Sequence, residues 1–188
     1  MGKSKLINIP NQLTLLRIIC IPFFIASVLY FEAGRVYMRY IPFMVFSLAI
    51  ITDALDGFFA RILDQKTTLG TWLDPIADKM LLIVAFVLLG TINIPELKIP
   101  IWLMLIVLTR DFLIISGSLF IHMIKGALFV KPSVFGKITT FLQMITIFTR
   151  LLRVPYFVNT LWAITALFTV ISGIDYTLKG LKQVHEKN

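Results

Sequence analysis

Four aspartates, Asp53, Asp56, Asp74 and Asp78, fall between apolar runs in the stretch Ile51–Met80. Carboxylates are expensive there: a charge at the centre of a bilayer costs on the order of 2.5–3.5 kcal/mol by insertion scales. Their spacing gives them an organisation. Asp53 and Asp56 are three apart, and Asp74 and Asp78 are four apart, so on helices each pair shares one face. Gly57 and Ala60 continue the first stripe, and Gly70 stands a turn before Asp74. The short connection from Leu63 to Thr68 makes the two helices antiparallel neighbours. Their acidic faces can then meet near one membrane surface, with room left by the small residues. Converging carboxylates repel one another and drift towards protonation. Divalent cations remove both the repulsion and the desolvation cost. An all-oxygen donor set points to Mg²⁺ or Mn²⁺ ahead of Ca²⁺. Four carboxylates can hold two such ions, the arrangement that clamps attacking and leaving oxygens in phosphoryl-type displacement.

Blander explanations exist for each residue alone. Asp74 before Pro75 could be an N-cap followed by a first-turn proline. Asp64 reads as solvated loop charge. A lone intramembrane aspartate could relay protons or pair with an arginine. Caps and strays do not account for all four at helical spacing with Gly and Ala between them, and the metal site is the stronger reading. Arg61 could snorkel to the headgroups, or hold a phosphate bidentately. Lys79 follows Asp78 but points to another face, and no catalytic role is assigned to it.

The elements that must position these residues are membrane spans. The chain has 188 residues, 58% hydrophobic and only 15% charged, a composition foreign to soluble domains. An all-α integral membrane protein is expected, in one domain covering 1–188. Six transmembrane helices fit, roughly Leu13–Phe31, Met38–Ile62, Leu69–Ile92, Ile99–Ile124, Val134–Leu152 and Pro155–Leu178. Pro75, Pro100 and Pro155 are expected in first turns, where no backbone donor is lost. "NIPNQLTLLRI", residues 8–18, is mixed enough to form an N-terminal interfacial segment. The first apolar run reads as a retained span rather than a signal peptide. The single cysteine, Cys20, excludes an internal disulfide and Cys-based metal sites. Trp72, Trp102 and Trp162 lie near span ends, as interfacial aromatics do. His122 and His185 read as interfacial or tail residues. Alternate connections carry Lys3, Lys5, Arg61, Lys66, Lys125, Lys131, Lys137, Lys179, Lys182 and Lys187 against Arg35, Arg39, Lys98, Arg150 and Arg153. That asymmetry puts both termini and the 62–68 loop on the cytoplasmic side of a cell membrane. No nucleic-acid partner is expected.

The run Asp53-x-x-Asp56-Gly57-x-x-Ala60-Arg61, eight residues, Gly70-x-x-x-Asp74-x-x-x-Asp78 resembles the signature of the CDP-alcohol phosphotransferase family without departure. "NIPNQLTLLRI", "LGTWLDPIADK" and the six-span layout are similar to the branch whose members make phosphatidylglycerophosphate or cardiolipin. The resemblance implies that an alcohol attacks the β-phosphorus of a CDP-linked lipid and CMP leaves. It implies that Asp53, Asp56 and Asp74 hold the metals, while Asp78 completes the metal site and acts as general base. It assigns the CDP-lipid to Asp56, Gly57, Ala60, Arg61 and Gly70, with Thr67 a further candidate, and it implies a homodimer.

The acceptor is read from "TRDFLIISG", residues 109–117, which buries Arg110 and Asp111 within the fourth span. Neighbouring helix residues point apart, so direct pairing of these two is not expected. Arg110 with Lys137 and Lys131 could instead form a cationic pocket for an acceptor phosphate; the lysines could equally contact anionic lipid. Members of the family that use glycerol phosphate commonly carry a second arginine eight residues on, where this chain has Ser118. The first expectation is transfer of a phosphatidyl group from CDP-diacylglycerol to sn-glycerol 3-phosphate, giving phosphatidylglycerophosphate and CMP. The runner-up acceptor is phosphatidylglycerol, giving cardiolipin. A cation transporter or channel would need a polar path across the membrane, yet "LLIVAFVLLG" continues the acid-bearing helix without one. A non-catalytic lipid-binding subunit would tolerate loss of a carboxylate, and none is lost.

Overall fold

The computed structural model describes residues 9–30, 40–62, 68–125 and 133–185, with the side chains of 9–15, 17, 53–62, 68–78, 121–125 and 182–185 excepted. All regular structure among the described residues is helical: α1 Ile9–Leu29, α2 Ile41–Ile62, α3 Thr68–Thr91, α4 Ile101–Lys125, α5 Val134–Leu151 and α6 Val158–His185. Each expected span has its helix. Among the described residues, two stretches, Ile101–Phe120 and Val158–Leu181, are long and apolar enough to cross a bilayer. Only 28% and 17% of those stretches are buried within the protein. A core helix of a soluble domain would be covered; these expose Phe112, Phe120, Leu167 and Leu181. So large an apolar surface calls for lipid around it.

The chain divides into two compact units, Met1–Leu88 and Leu89–Asn188. In the first, α1 buries Cys20, Phe24 and Val28, one stripe at a spacing of four, and α2 buries Phe46, Ala49 and Thr52. The rings of Phe24 and Phe46 meet with centroids 5.5 Å apart, tilted by 42°. Pro22 sits inside α1 and deprives the Ile18 carbonyl of its usual backbone donor. Hydroxyls along these apolar helices bond back to their own backbone. Ser27 donates to the Phe24 carbonyl at 2.7 Å, and Thr52 to the Leu48 and Ala49 carbonyls at 3.0 and 2.9 Å.

In the second unit, the end of α3 turns into α4 through a loop fixed by Ile99, whose N–H reaches the Leu89 carbonyl at 2.8 Å. Gly90 lies so close to Met104 that any side chain there would overlap it. Along α5, Thr139, Gln143 and Thr146 are buried; along α6, Thr165, Thr169 and Ser172 repeat the same spacing. The Thr146 and Thr165 hydroxyls meet at 2.9 Å, and Thr139 donates to the Phe168 carbonyl at 2.9 Å. Such a polar seam holds helices together where an apolar solvent gives no hydrophobic drive. On α4, the Ile114 carbonyl accepts from the Tyr176 hydroxyl of α6 at 3.1 Å.

Residues 9–18, expected as an interfacial segment, are the helical first turns of α1. The prolines depart from expectation. Pro100 lies one residue outside α4, its carbonyl accepting from the Leu103 and Met104 amides, each at 3.1 Å. Pro155 lies outside α6, which starts three residues later at Val158. Pro75 is the eighth residue of α3 rather than part of its first turn. The start of α3 at Thr68 also removes the N-cap explanation of Asp74, which is interior to the helix.

Candidate active site

Helix α2 carries Asp53, Asp56, Gly57, Ala60 and Arg61 in its last three turns, and α3 carries Gly70, Asp74 and Asp78 in its first three. Both pairs of acids are therefore on helical backbone, as their spacing requires. With a rise of about 1.5 Å per residue, Asp53 and Asp56 are separated by roughly 4.5 Å along the axis, and Asp74 and Asp78 by roughly 6 Å. The donor set is all carboxylate, the chemistry that suits hard divalent cations. Pro75 stands between the second pair, and its missing N–H leaves the Thr71 carbonyl without a helical donor. The side chains of these residues lie outside the described set, as do Thr67 and Lys131 altogether.

Of the second cluster, Arg110, Asp111 and Lys137 are among the described residues. Arg110 and Asp111 of α4 are buried, 6% and 2% exposed. Contrary to the expectation from helix geometry, they pair: Arg110 Nη1 donates to Asp111 Oδ1 at 2.6 Å. The arginine stem is long enough to curl back across the 100° between neighbours, and burial leaves no water to compete. Arg110 Nη2 donates to the Ser172 hydroxyl of α6 at 2.7 Å. The first turn of α5 comes up to the same group. A Cβ built on Gly136 would stand 3.3 Å from Arg110 Nη2 and 3.8 Å from Ser172 Oγ. Ser133 caps that turn by accepting from the Gly136 amide at 3.0 Å. Arg110 Nε is buried with no hydrogen-bond partner among the described residues.

Three helices thus converge on one guanidinium. Lys137 follows Gly136 on α5 and is exposed. On its other side, the Arg110 stem borders an apolar groove of about 530 Å³ between Leu105, Thr109, Thr169, Gly173 and Ile174. Ser133, Gly136 and Ser172 were missed by the sequence reading. A Ser-Gly pair inside the apolar run "FTVISGI" was the available signal, since small polar residues in spans mark close helix contacts.

At the opposite end of the same unit, two arginines are drawn into the protein. Arg150 Nη2 donates to the Pro95 carbonyl at 2.8 Å, and its guanidinium lies 5.6 Å from the Trp162 ring centre. Arg153 pairs with Glu96 at 2.9 Å.

Comparison with known proteins supplies the class. The family model described as CDP-alcohol phosphatidyltransferase matches residues 7–172. A probable phosphatidylglycerophosphate synthase of Mycobacterium tuberculosis is 32% identical, over 97% of this chain and 86% of that protein. Proteins named CDP-diacylglycerol–glycerol-3-phosphate 3-phosphatidyltransferase are similar too. That of Aquifex aeolicus is 34% identical over 96% of this chain and 99% of its own length. The Bacillus subtilis protein is 31% identical with the same coverage, 96% and 99%. The chain belongs to the CDP-alcohol phosphatidyltransferase family. It is a membrane-located transferase of phospholipid biosynthesis.

Proposed function

We propose that the protein transfers the phosphatidyl group of CDP-diacylglycerol to sn-glycerol 3-phosphate, giving phosphatidylglycerophosphate and CMP. The observation that carries this reading is the eight-residue acidic motif, complete and set on the helical backbone of α2 and α3. The names of the relatives favour glycerol phosphate over phosphatidylglycerol as acceptor.

Asp53, Asp56, Asp74 and Asp78 are the residues that would hold two Mg²⁺ (or Mn²⁺) ions. Such ions supply neutralisation of the diphosphate charge as the P–O bond breaks. Asp78 takes the proton of the acceptor hydroxyl as its oxygen bonds to the β-phosphorus. The bond to CMP breaks, and CMP leaves with the electron pair. Gly57, with Ala60 and Gly70, leaves space for the nucleotide to approach; Arg61, with Thr67, holds its phosphates. Arg110, with Lys137 and Lys131, holds the phosphate of the acceptor. In this reading the chain is one six-span domain, 1–188, acting as a homodimer. Both termini and the site face the cytoplasm.

The deciding experiment incubates purified protein with labelled CDP-diacylglycerol, Mg²⁺ and either sn-glycerol 3-phosphate or phosphatidylglycerol. Phosphatidylglycerophosphate is expected in the first arm alone. Cardiolipin in the second arm, with no product in the first, replaces this reading by the runner-up.

A further inference from the structure

The proposed acceptor site rests on one guanidinium, and what fixes that guanidinium lies on a different helix. Arg110 has five N–H donors, and both Nη groups are tied down. Nη1 is held by Asp111 at 2.6 Å and Nη2 by Ser172 at 2.7 Å. Asp111 is the next residue on α4, so this bond stays within one helix. Ser172 ties the guanidinium to a second helix, because it belongs to α6 and is itself 1% exposed. The remaining neighbour of Nη2, Gly136 of α5, offers no side chain, and a Cβ there would stand only 3.3 Å away. Nε makes no hydrogen bond among the described residues, although it is buried. A guanidinium oriented by its Nη groups and left open at Nε is held ready for a third acceptor, such as a phosphate oxygen.

We infer that Ser172 is a positioning residue for Arg110: its hydroxyl fixes the guanidinium across the α4–α6 contact, and Gly136 leaves the space that this orientation needs. The inference rests on the proposed acceptor site. It adds a residue of α6 to a site otherwise built from α4 and α5, and it concerns affinity for the acceptor, not for the CDP-lipid.

The test is a double-mutant cycle on purified enzyme in detergent–lipid micelles, with CDP-diacylglycerol and sn-glycerol 3-phosphate varied separately. Ser172→Ala removes one hydrogen bond to a charged group, and is expected to raise KM for glycerol phosphate by about ten-fold. KM for CDP-diacylglycerol and kcat should stay within about two-fold. In the Arg110→Ala background, Ser172→Ala should add nothing, because the group it positions is gone. An undiminished effect in that background overturns the inference, since it would mark Ser172 as merely structural. An unchanged glycerol-phosphate KM in Ser172→Ala, with Arg110→Ala strongly impaired, also overturns it while leaving the acceptor site intact. If Arg110→Ala itself leaves that KM unchanged, the acceptor site fails and the role of Ser172 with it. Should Ser172→Ala not fold, Gly136→Ala carries the test. Its methyl would press on Nη2 from 3.3 Å, beside the bond to Ser172, while favouring the helix, so a smaller rise in acceptor KM with the same selectivity is expected. No rise there overturns the inference.

Discussion

Arg110 and Asp111, consecutive on α4, form an ion pair at 2.6 Å with side chains 7% and 3% exposed. Removing one partner of such a pair leaves an uncompensated buried charge, at a cost of about 3–5 kcal/mol. Asp111→Ala should therefore lower the melting temperature in detergent by roughly 10 °C. The double change Arg110→Met with Asp111→Ala should recover most of that loss, since the Arg110 charge is no longer stranded. Equal melting of the single and double variants would show that the pair is not the source of the effect.

Activity separates the two partners. Arg110→Ala should raise KM for the phosphorylated acceptor by about ten-fold or more, with little change in KM for CDP-diacylglycerol. Steady-state kinetics with each substrate varied in turn check this. Equal effects on both substrates would remove Arg110 from the acceptor pocket.

Asp78→Asn keeps the shape of the side chain and abolishes its basicity. Turnover should be lost, while Mg²⁺-dependent binding of CDP-diacylglycerol stays detectable by equilibrium measurement. A kcat equal to that of the unaltered protein would withdraw the general-base assignment.

Chelation tests the carboxylate set as a whole. EDTA should stop the reaction, and added Mg²⁺ or Mn²⁺ should restore it. Full activity in excess chelator would end the argument for a metal site at Asp53, Asp56, Asp74 and Asp78.

A fifth expectation concerns the far end of the second unit. Arg153 closes α5 at φ 55°. Its N–H bonds to the Arg150 carbonyl at 3.0 Å, and the Val154 N–H to the Thr149 carbonyl at 2.9 Å. This is the Schellman ending that glycine usually provides. A left-handed residue with a side chain is strained by about 1–2 kcal/mol. Its Glu96 partner is 52% exposed, and pairs of that kind contribute about 0–1 kcal/mol. Both Arg153→Ala and Arg153→Gly lose the pair, but only glycine relieves the strain. Arg153→Gly should therefore be more stable than Arg153→Ala by about 1 kcal/mol. Thermal melting of the two variants side by side provides the comparison.

Most helix ends lie within a few residues of expectation because long apolar runs bounded by charge leave few alternatives in lipid, though α6 runs seven residues past Leu178. The prolines misled. Pro75 locally favours a first turn, yet α3 runs seven residues ahead of it. Arg150 and Arg153 counted as topological charge, although both are engaged with Pro95 and Glu96 within the protein. Those partners are more than fifty residues away in sequence, and no local pattern announces them.

By itself the sequence determined that this is an all-helical chain made for lipid, and that its acids stand at helical spacing on two successive helices. Those properties follow from hydropathy and from the 3.6-residue period, both local. Only the tertiary structure decided that Arg110 turns to Asp111, reaches Ser172 on α6 and lies against Gly136 on α5. The orientation of a flexible side chain is set by which hydrogen-bond partners the packing brings within about 3 Å, and packing is a property of the whole fold.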